Sequence, residues 1–161
     1  MSDDKQAKAG ELRRSEECTK KEWECIVVLD GKENDPNASP ILCEMCKVHH
    51  VRYGHYMWHE STGAIRVGRD CAEKMARDAA EQRSRHRKAI NRSRRRARWL
   101  KRNWERNGWG MPYLCTNGHK FWYEPTKEGC WTAIIDGIQL STEFRDLDTA
   151  KLATFDIVWV P

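Results

Sequence analysis

The feature that most constrains this chain is a pair of cysteines separated by two residues, Cys43 and Cys46, with a third, Cys71, at the end of a 29-residue segment. Two sulfurs at the first spacing can reach one tetrahedral ion at about 2.3 Å, which is the usual opening of a small zinc module. A buried thiol pair or a redox motif has the same spacing, so the pair alone leaves both alternatives open. The third cysteine and the histidines before it favour a metal site.

A β-hairpin is predicted between the second and third cysteines. The segments VRYGHYMWHE and GAIRVG flank a short turn that contains Gly63, as hairpin strands do. A helix is expected to begin near Arg69 or Asp70, which places Cys71 in its first turn. A hairpin with so few large aliphatic residues lacks a sufficient core, so the sequence predicts a stapling metal.

The fourth ligand is predicted from the hairpin geometry. His55 and His59 have the same parity and share one face of the first hairpin strand. With the turn centred near Thr62, His55 is expected to pair near Arg69, beside Cys71, whereas His59 lies towards the tip. His55 is therefore the first choice and His59 the second. The predicted ligands of one structural Zn²⁺, with no open position for water or substrate, are Cys43, Cys46, His55 and Cys71.

The positive charge is concentrated in one segment. The net charge of the chain is +5, yet residues 77–106 contain thirteen Lys or Arg and three acids, a balance of +10. A solvated helix face usually mixes both signs, so this run indicates an anionic partner. Nucleic acid is the commonest such partner, and an acidic protein surface is the alternative.

A long arginine-rich helix is predicted here, because neither Pro nor Gly interrupts the chain from Cys71 to Gly108. Arginine can fork onto phosphate oxygens and stack on bases. The apolar Ala97, Leu100 and Trp104 are expected to form a packing face at its end. The predicted nucleic-acid-binding residues are Arg83, Arg85, Arg87, Lys88, Arg92, Arg94, Arg95, Arg96, Arg98, Lys101 and Arg102.

The overall fold class is predicted to be α+β. Residues 1–20 are expected to be a disordered tail, residues 21–76 a strand plus a zinc module, residues 77–107 the arginine-rich helix, and residues 108–161 an antiparallel β-meander with one packed helix. In the last region Asn-Gly at 117–118 and Asp-Gly at 136–137 predict two-residue hairpin turns. Asp146 is expected to cap a helix from about 147 to 158.

The remaining composition indicates a protein of a reducing, cytoplasmic compartment. The start of the chain lacks the apolar core of a secretory signal, and no apolar run approaches the length of about 18 residues that a membrane span needs. Seven cysteines are an odd number, which favours metal ligation over a disulfide framework. The cysteines expected to be plain thiols are Cys18, Cys25, Cys115 and Cys130. Neither a membrane nor a small-molecule substrate is expected as a partner.

Two segments resemble known families. The motifs CEMC, RYGHYMWHE and RVGRDCAEKM in residues 43–75 resemble a treble-clef zinc-finger family of uncharacterised bacterial and phage proteins, which implies a treble-clef-like fold and a phage or mobile-element setting. Residues 119–158 resemble the three-stranded sheet plus helix of integrase arm-type and plant ethylene-response DNA-binding domains. Those domains lay the sheet in the major groove, whereas this segment is net acidic and its strands carry no arginine to read guanine.

The function expected from these features is non-enzymatic nucleic-acid binding. The alternative is an adaptor or inhibitor, of phage or mobile-element type, that docks on an acidic protein. Treble clefs also scaffold HNH nucleases, and His49-His50 resembles one nuclease element. The following helix offers no His before His86 and no Asn before Asn91, so an HNH-like nuclease is the third alternative and no catalytic residue is predicted.

Overall fold

The computed structural model of the protein describes residues 23–160 and has a mixed α/β composition, with three helices and antiparallel sheets. The chain divides into a first unit that ends at Ser93 and a second unit from Arg94 to Val160. The predicted tail, residues 1–20, and Cys18 lie outside the described residues. Within residues 23–160 no helix is both long and apolar enough to cross a membrane.

The first unit contains five strands: β1 (Glu24–Asp30), β2 (Ile41–Leu42), β3 (His50–Val51), β4 (Tyr53–His59) and β5 (Gly63–Val67). They form a three-stranded antiparallel sheet of order β1-β4-β5 and a small two-stranded sheet of β2 and β3. Its helices are α1 (Arg69–Met75) and most of α2 (Ala79–Trp99), whose last turns belong to the second unit.

The predicted hairpin is confirmed, but its register differs from the expectation. His55 pairs with Val67 and His59 with Gly63, so each partner lies two residues earlier than a turn centred on Thr62 requires. The turn tightens because Gly63 adopts a φ of +78°, a conformation that residues with a side chain rarely adopt. His55 therefore faces the end of β5 rather than Arg69.

The prediction of a continuous helix after Cys71 is wrong, because the chain leaves the helical conformation at Ala76, where ψ is 148°. Ala76 forms an isolated parallel bridge with Trp23, and this pairing draws its backbone out of the helix. The Asp78 carboxylate then accepts hydrogen bonds from the N–H groups of Ala80 and Glu81, at 2.8 and 3.1 Å. An acidic side chain that satisfies these N–H groups starts a new helix without Pro or Gly.

The arginine-rich helix also ends earlier than predicted, at Trp99 rather than near residue 107. Trp99 is 2% exposed, and its indole N–H donates to the carbonyl of Lys151 at 2.8 Å. The expected packing face therefore differs: Ala97 is exposed and Trp104 lies beyond the helix. Trp99 forms the buried face at the end of α2 because its large ring can be buried while its one polar group is hydrogen-bonded.

The second unit contains five strands, β6 (Glu105–Arg106), β7 (Pro112–Thr116), β8 (His119–Pro125), β9 (Trp131–Ile135) and β10 (Ile138–Gln139), followed by the helix α3 (Leu147–Val158). The strands form an antiparallel meander of order β10-β9-β8-β7-β6, and α3 packs on β8 and β9. Short β6 was not predicted.

The predicted turns and cap of this unit are confirmed. Asn117 and Gly118 have φ values of 52° and 81°, and Asp136 and Gly137 have 53° and 87°, the left-handed pairs that a type I′ hairpin turn requires. The Asp146 side chain accepts from the N–H of Thr149 at 2.8 Å and caps α3. Local sequence chemistry therefore determines these features.

We expect Trp99→Ala to lower the free energy of unfolding of the full chain by about 3–5 kcal/mol, because it empties a buried aromatic site and removes the indole hydrogen bond to the Lys151 carbonyl. Trp109→Ala is the matched control, since Trp109 is 84% exposed and should change stability by less than about 0.5 kcal/mol. Urea denaturation measures both variants. Equal effects would contradict the assignment of Trp99 to the core.

Candidate metal centre

The first two cysteines lie on a tight turn between β2 and β3. The two strands pair Leu42 with His50, and the N–H of Cys43 donates to the carbonyl of His49 at 2.9 Å. Lys47 takes a φ of 57°, and its N–H donates to the carbonyl of Cys43 at 2.8 Å. The chain thus reverses within the Cys-x-x-Cys segment, and both thiols reach the same side of the turn.

Cys71 joins this pair from the first turn of α1. The sulfurs of Cys43, Cys46 and Cys71 all lie within 4.8 Å of one another. Three thiolates on a tetrahedral zinc ion, at about 2.3 Å each, would be separated by about 3.8 Å. The backbone N–H of Gly68 also donates to the Cys43 sulfur at 3.3 Å, which holds this sulfur beside the start of α1. The three cysteines could therefore hold a metal ion.

The pKa values of Cys46 and Cys71 are shifted in opposite directions. Burial raises the pKa of Cys46, but backbone N–H groups of His49 and Val48 and the two other thiols more than offset this and bring it to about 7. Burial, together with the neighbouring Cys43 and Cys46, raises the pKa of Cys71 to about 12. Adjacent thiolates oppose each other's ionisation, and a divalent cation among them would supply the compensating charge.

His55, the predicted fourth ligand, is not among the mutually close ligand atoms found in residues 23–160. It is fully buried, and burial lowers its pKa to about 4, with further contributions from His86 and Arg69. Its Nδ1 lies 2.5 Å from the Gln82 amide nitrogen, and its Nε2 lies 2.9 Å from Nδ1 of His86. Both ring nitrogens of a neutral histidine are thus engaged.

The second choice, His59, also lies outside the group of three sulfurs. Its Nδ1 contacts the N–H and the hydroxyl of Ser61, at 3.2 and 2.9 Å. Its ring packs near Trp23, with 5.0 Å between the ring centroids. His59 therefore belongs to the hairpin tip, and its exchange for His55 as ligand stays a prediction.

Sequence reasoning did not single out Gln82 and His86 as site residues. They are four residues apart on α2, so they share one face of the helix, and both contact His55. The Gln82 amide nitrogen also lies 3.2 Å from the Cys25 sulfur. The spacing was visible in the sequence, but the approach of α2 to β4 depends on tertiary packing.

The predicted basic residues fall into two groups. Arg85, Arg92 and Arg96 are partly buried and pair with Glu81, Glu33 and Asp156. Of the rest, Arg83 pairs with Glu73 at 3.1 Å. The exposed cations for which residues 23–160 provide no carboxylate partner are Arg87, Lys88, Arg94, Arg95, Arg98, Lys101 and Arg102.

No protein-family model, no curated protein and no solved structure matches this chain.

Gly68→Ala should weaken the packing around the cysteine turn. Gly68 has φ −76° and ψ 166°, which alanine tolerates, but an added Cβ would lie 2.8 Å from Cγ1 of Val51. We expect a loss of about 1–3 kcal/mol in the free energy of unfolding from this overpacking, measured by urea denaturation. Adding Val51→Ala should recover part of the loss in a double-mutant cycle. Strict additivity of the two substitutions would contradict the predicted contact.

Proposed function

We propose that this protein binds nucleic acid through the exposed cations of α2 and has no enzymatic activity. We also propose that one structural zinc ion stabilises the first unit, in which α2 begins. The observation that carries the proposal is that some arginines of α2 pair with a carboxylate, whereas others have no carboxylate partner among residues 23–160. Of the eleven predicted contact residues, the proposal keeps those without a carboxylate partner.

The paired arginines have a role within the fold. Arg96 binds Asp156 through both Nε and Nη2, at 2.9 Å each. Arg85 binds Glu81 and donates to the carbonyl of Cys25 at 3.0 Å, and Arg92 pairs with Glu33. These contacts satisfy the guanidinium groups locally, so we exclude the three residues from the proposed interface.

The exposed arginines follow the same spacing on a different side of the helix. Arg87, Arg94 and Arg98 are separated by seven and four residues, as are Arg85, Arg92 and Arg96. At 3.6 residues per turn each triplet forms one stripe, and the two stripes lie about 160° apart. Like charges along a stripe repel each other, and a row of phosphates would offset that repulsion. This supports phosphate as the partner chemistry.

The zinc assignment follows from the donor set. Three thiolates select soft or borderline ions, and zinc is the usual occupant of such sites in small protein modules. Because the cysteine turn and α1 are far too short to be stable alone, an ion that joins them would contribute to folding. The role proposed for the metal is therefore structural.

The test is the salt dependence of binding to duplex DNA, single-stranded DNA and RNA by the full chain. Replacing Arg87, Arg94 and Arg98 by Gln removes three proposed phosphate contacts. On duplex DNA the slope of log K against log salt should become shallower by about 3, and affinity at 0.1 M salt should fall on the order of 100-fold. Fluorescence anisotropy measures both quantities.

The matched control replaces Lys74, Lys127 and Arg145 by Gln, three exposed cations away from the stripe. It removes the same formal charge and should leave the slope nearly unchanged. If the wild-type protein binds none of the three nucleic acids, or binds them independently of salt, the proposal is wrong. The alternative hypothesis, an acidic protein partner, would then be tested next.

A further inference from the structure

A cavity of about 270 Å³ opens beside the three cysteines. Besides their sulfurs, its walls include three side chains that can bind metal: His49, Asp70 and His86. His49 and Asp70 are exposed, whereas His86 is half-buried. The Asp70 carboxylate is already 3.1 Å from the Arg69 guanidinium. Three thiolates leave one tetrahedral position to fill, and this cavity is the place from which it can be filled.

The His86 side chain lines this cavity, and one of its two ring nitrogens is engaged by a hydrogen bond. Its Nδ1 lies 2.9 Å from Nε2 of His55, and the two rings stack with centroids 5.0 Å apart and an interplanar angle of 15°. Tyr53 contacts the His86 ring edge-on at 5.5 Å. A histidine that ligates a metal through one nitrogen is usually fixed by a hydrogen bond at the other, and His86 has such a bond.

We propose that Nε2 of His86, rather than His55, supplies the fourth ligand of the metal, and that His55 and Gln82 are positioning residues that orient the His86 ring. The inference depends on the metal site proposed above. His86 is not among the atoms within 4.8 Å of all three sulfurs, so ligation includes a movement of its side chain towards them.

Proton positions follow from this assignment. For Nε2 of His86 to bind a cation, the His86 proton must lie on Nδ1 and be donated to Nε2 of His55. The proton of neutral His55 then lies on Nδ1 and needs an acceptor, and the side chain that contacts Nδ1 within residues 23–160 is the Gln82 amide, whose oxygen can accept. A half-turn of that amide exchanges its nitrogen and oxygen. The Cys25 thiol, now 3.2 Å from the amide nitrogen, can then donate to the oxygen instead.

The experiment compares the ligand sets of the full-length wild-type and variant proteins, loaded with Zn²⁺ for X-ray absorption and with Co²⁺ for visible spectroscopy. The wild type should show three sulfurs and one imidazole nitrogen. His86→Ala should lose the nitrogen, whereas His49→Ala and Asp70→Asn, which alter the other two lining side chains that can bind metal, should keep it. A nitrogen that persists in His86→Ala, or disappears in His49→Ala, would overturn the assignment.

The positioning role has its own readout. Gln82→Met removes the amide but keeps a side chain of similar length, so zinc affinity should fall about 10–100-fold while the sulfur and nitrogen ligand set is retained. His55→Ala should behave in the same way. An unchanged affinity in both variants would contradict the relay from Gln82 through His55.

A measurement on the unmodified protein covers the case in which His86→Ala does not fold. Long-range ¹H–¹⁵N NMR of the zinc-loaded protein distinguishes the two nitrogens of each histidine, and it should show metal-bound Nε2 for His86 and no metal-bound nitrogen for His55. The reverse result would restore His55 as the ligand. A protein that binds metal with sulfur and oxygen alone would refute only the role of His86, whereas no metal binding at all would also refute the proposed zinc site.

Discussion

The approach of three cysteine sulfurs from two separate segments is the constraint on which the first unit depends. Cys43 and Cys46 come from a turn between two strands of two residues each, and Cys71 comes from a helix of seven residues. None of these elements is long enough to be stable alone. They pack on the sheet through the buried Cys43, Ala72 and Met75, and the N–H of Glu44 donates to the carbonyl of Arg66 at 2.9 Å. A cross-link at the sulfurs would therefore stabilise elements that their own hydrogen bonds cannot.

The arginines of α2 differ in their surroundings although they belong to one run of charge. A sequence of thirteen basic residues suggests a uniformly basic surface, but Arg92 and Arg96 reach acids that lie about 60 positions away along the chain, Glu33 and Asp156. Glu33 neutralises Arg92 within the first unit, and Asp156 neutralises Arg96 within the second. What is left exposed is a narrower set of cations, which the proposed function assigns to phosphate.

The features that sequence predicted best are those determined by neighbouring residues. Asn117-Gly118 and Asp146 act through their own backbone conformation and hydrogen bonds, and the spacing of Cys43 and Cys46 suits one turn. The break at Ala76 and the environment of His55 were not predictable in this way. The break follows a bridge to Trp23, and both nitrogens of His55 contact α2, at separations of 27 and 31 residues. Periodicity within a segment carries no information on such distant partners.

The measurement that tests the central claim most directly is the zinc content of the full-length protein, purified under reducing conditions without added metal and compared with a Cys43→Ser, Cys46→Ser and Cys71→Ser triple variant. The three sulfurs lie within 4.8 Å of one another, so we predict about one zinc ion per wild-type chain and none above background in the triple variant. Equal zinc content in the two proteins, or none in the wild type, would contradict the account.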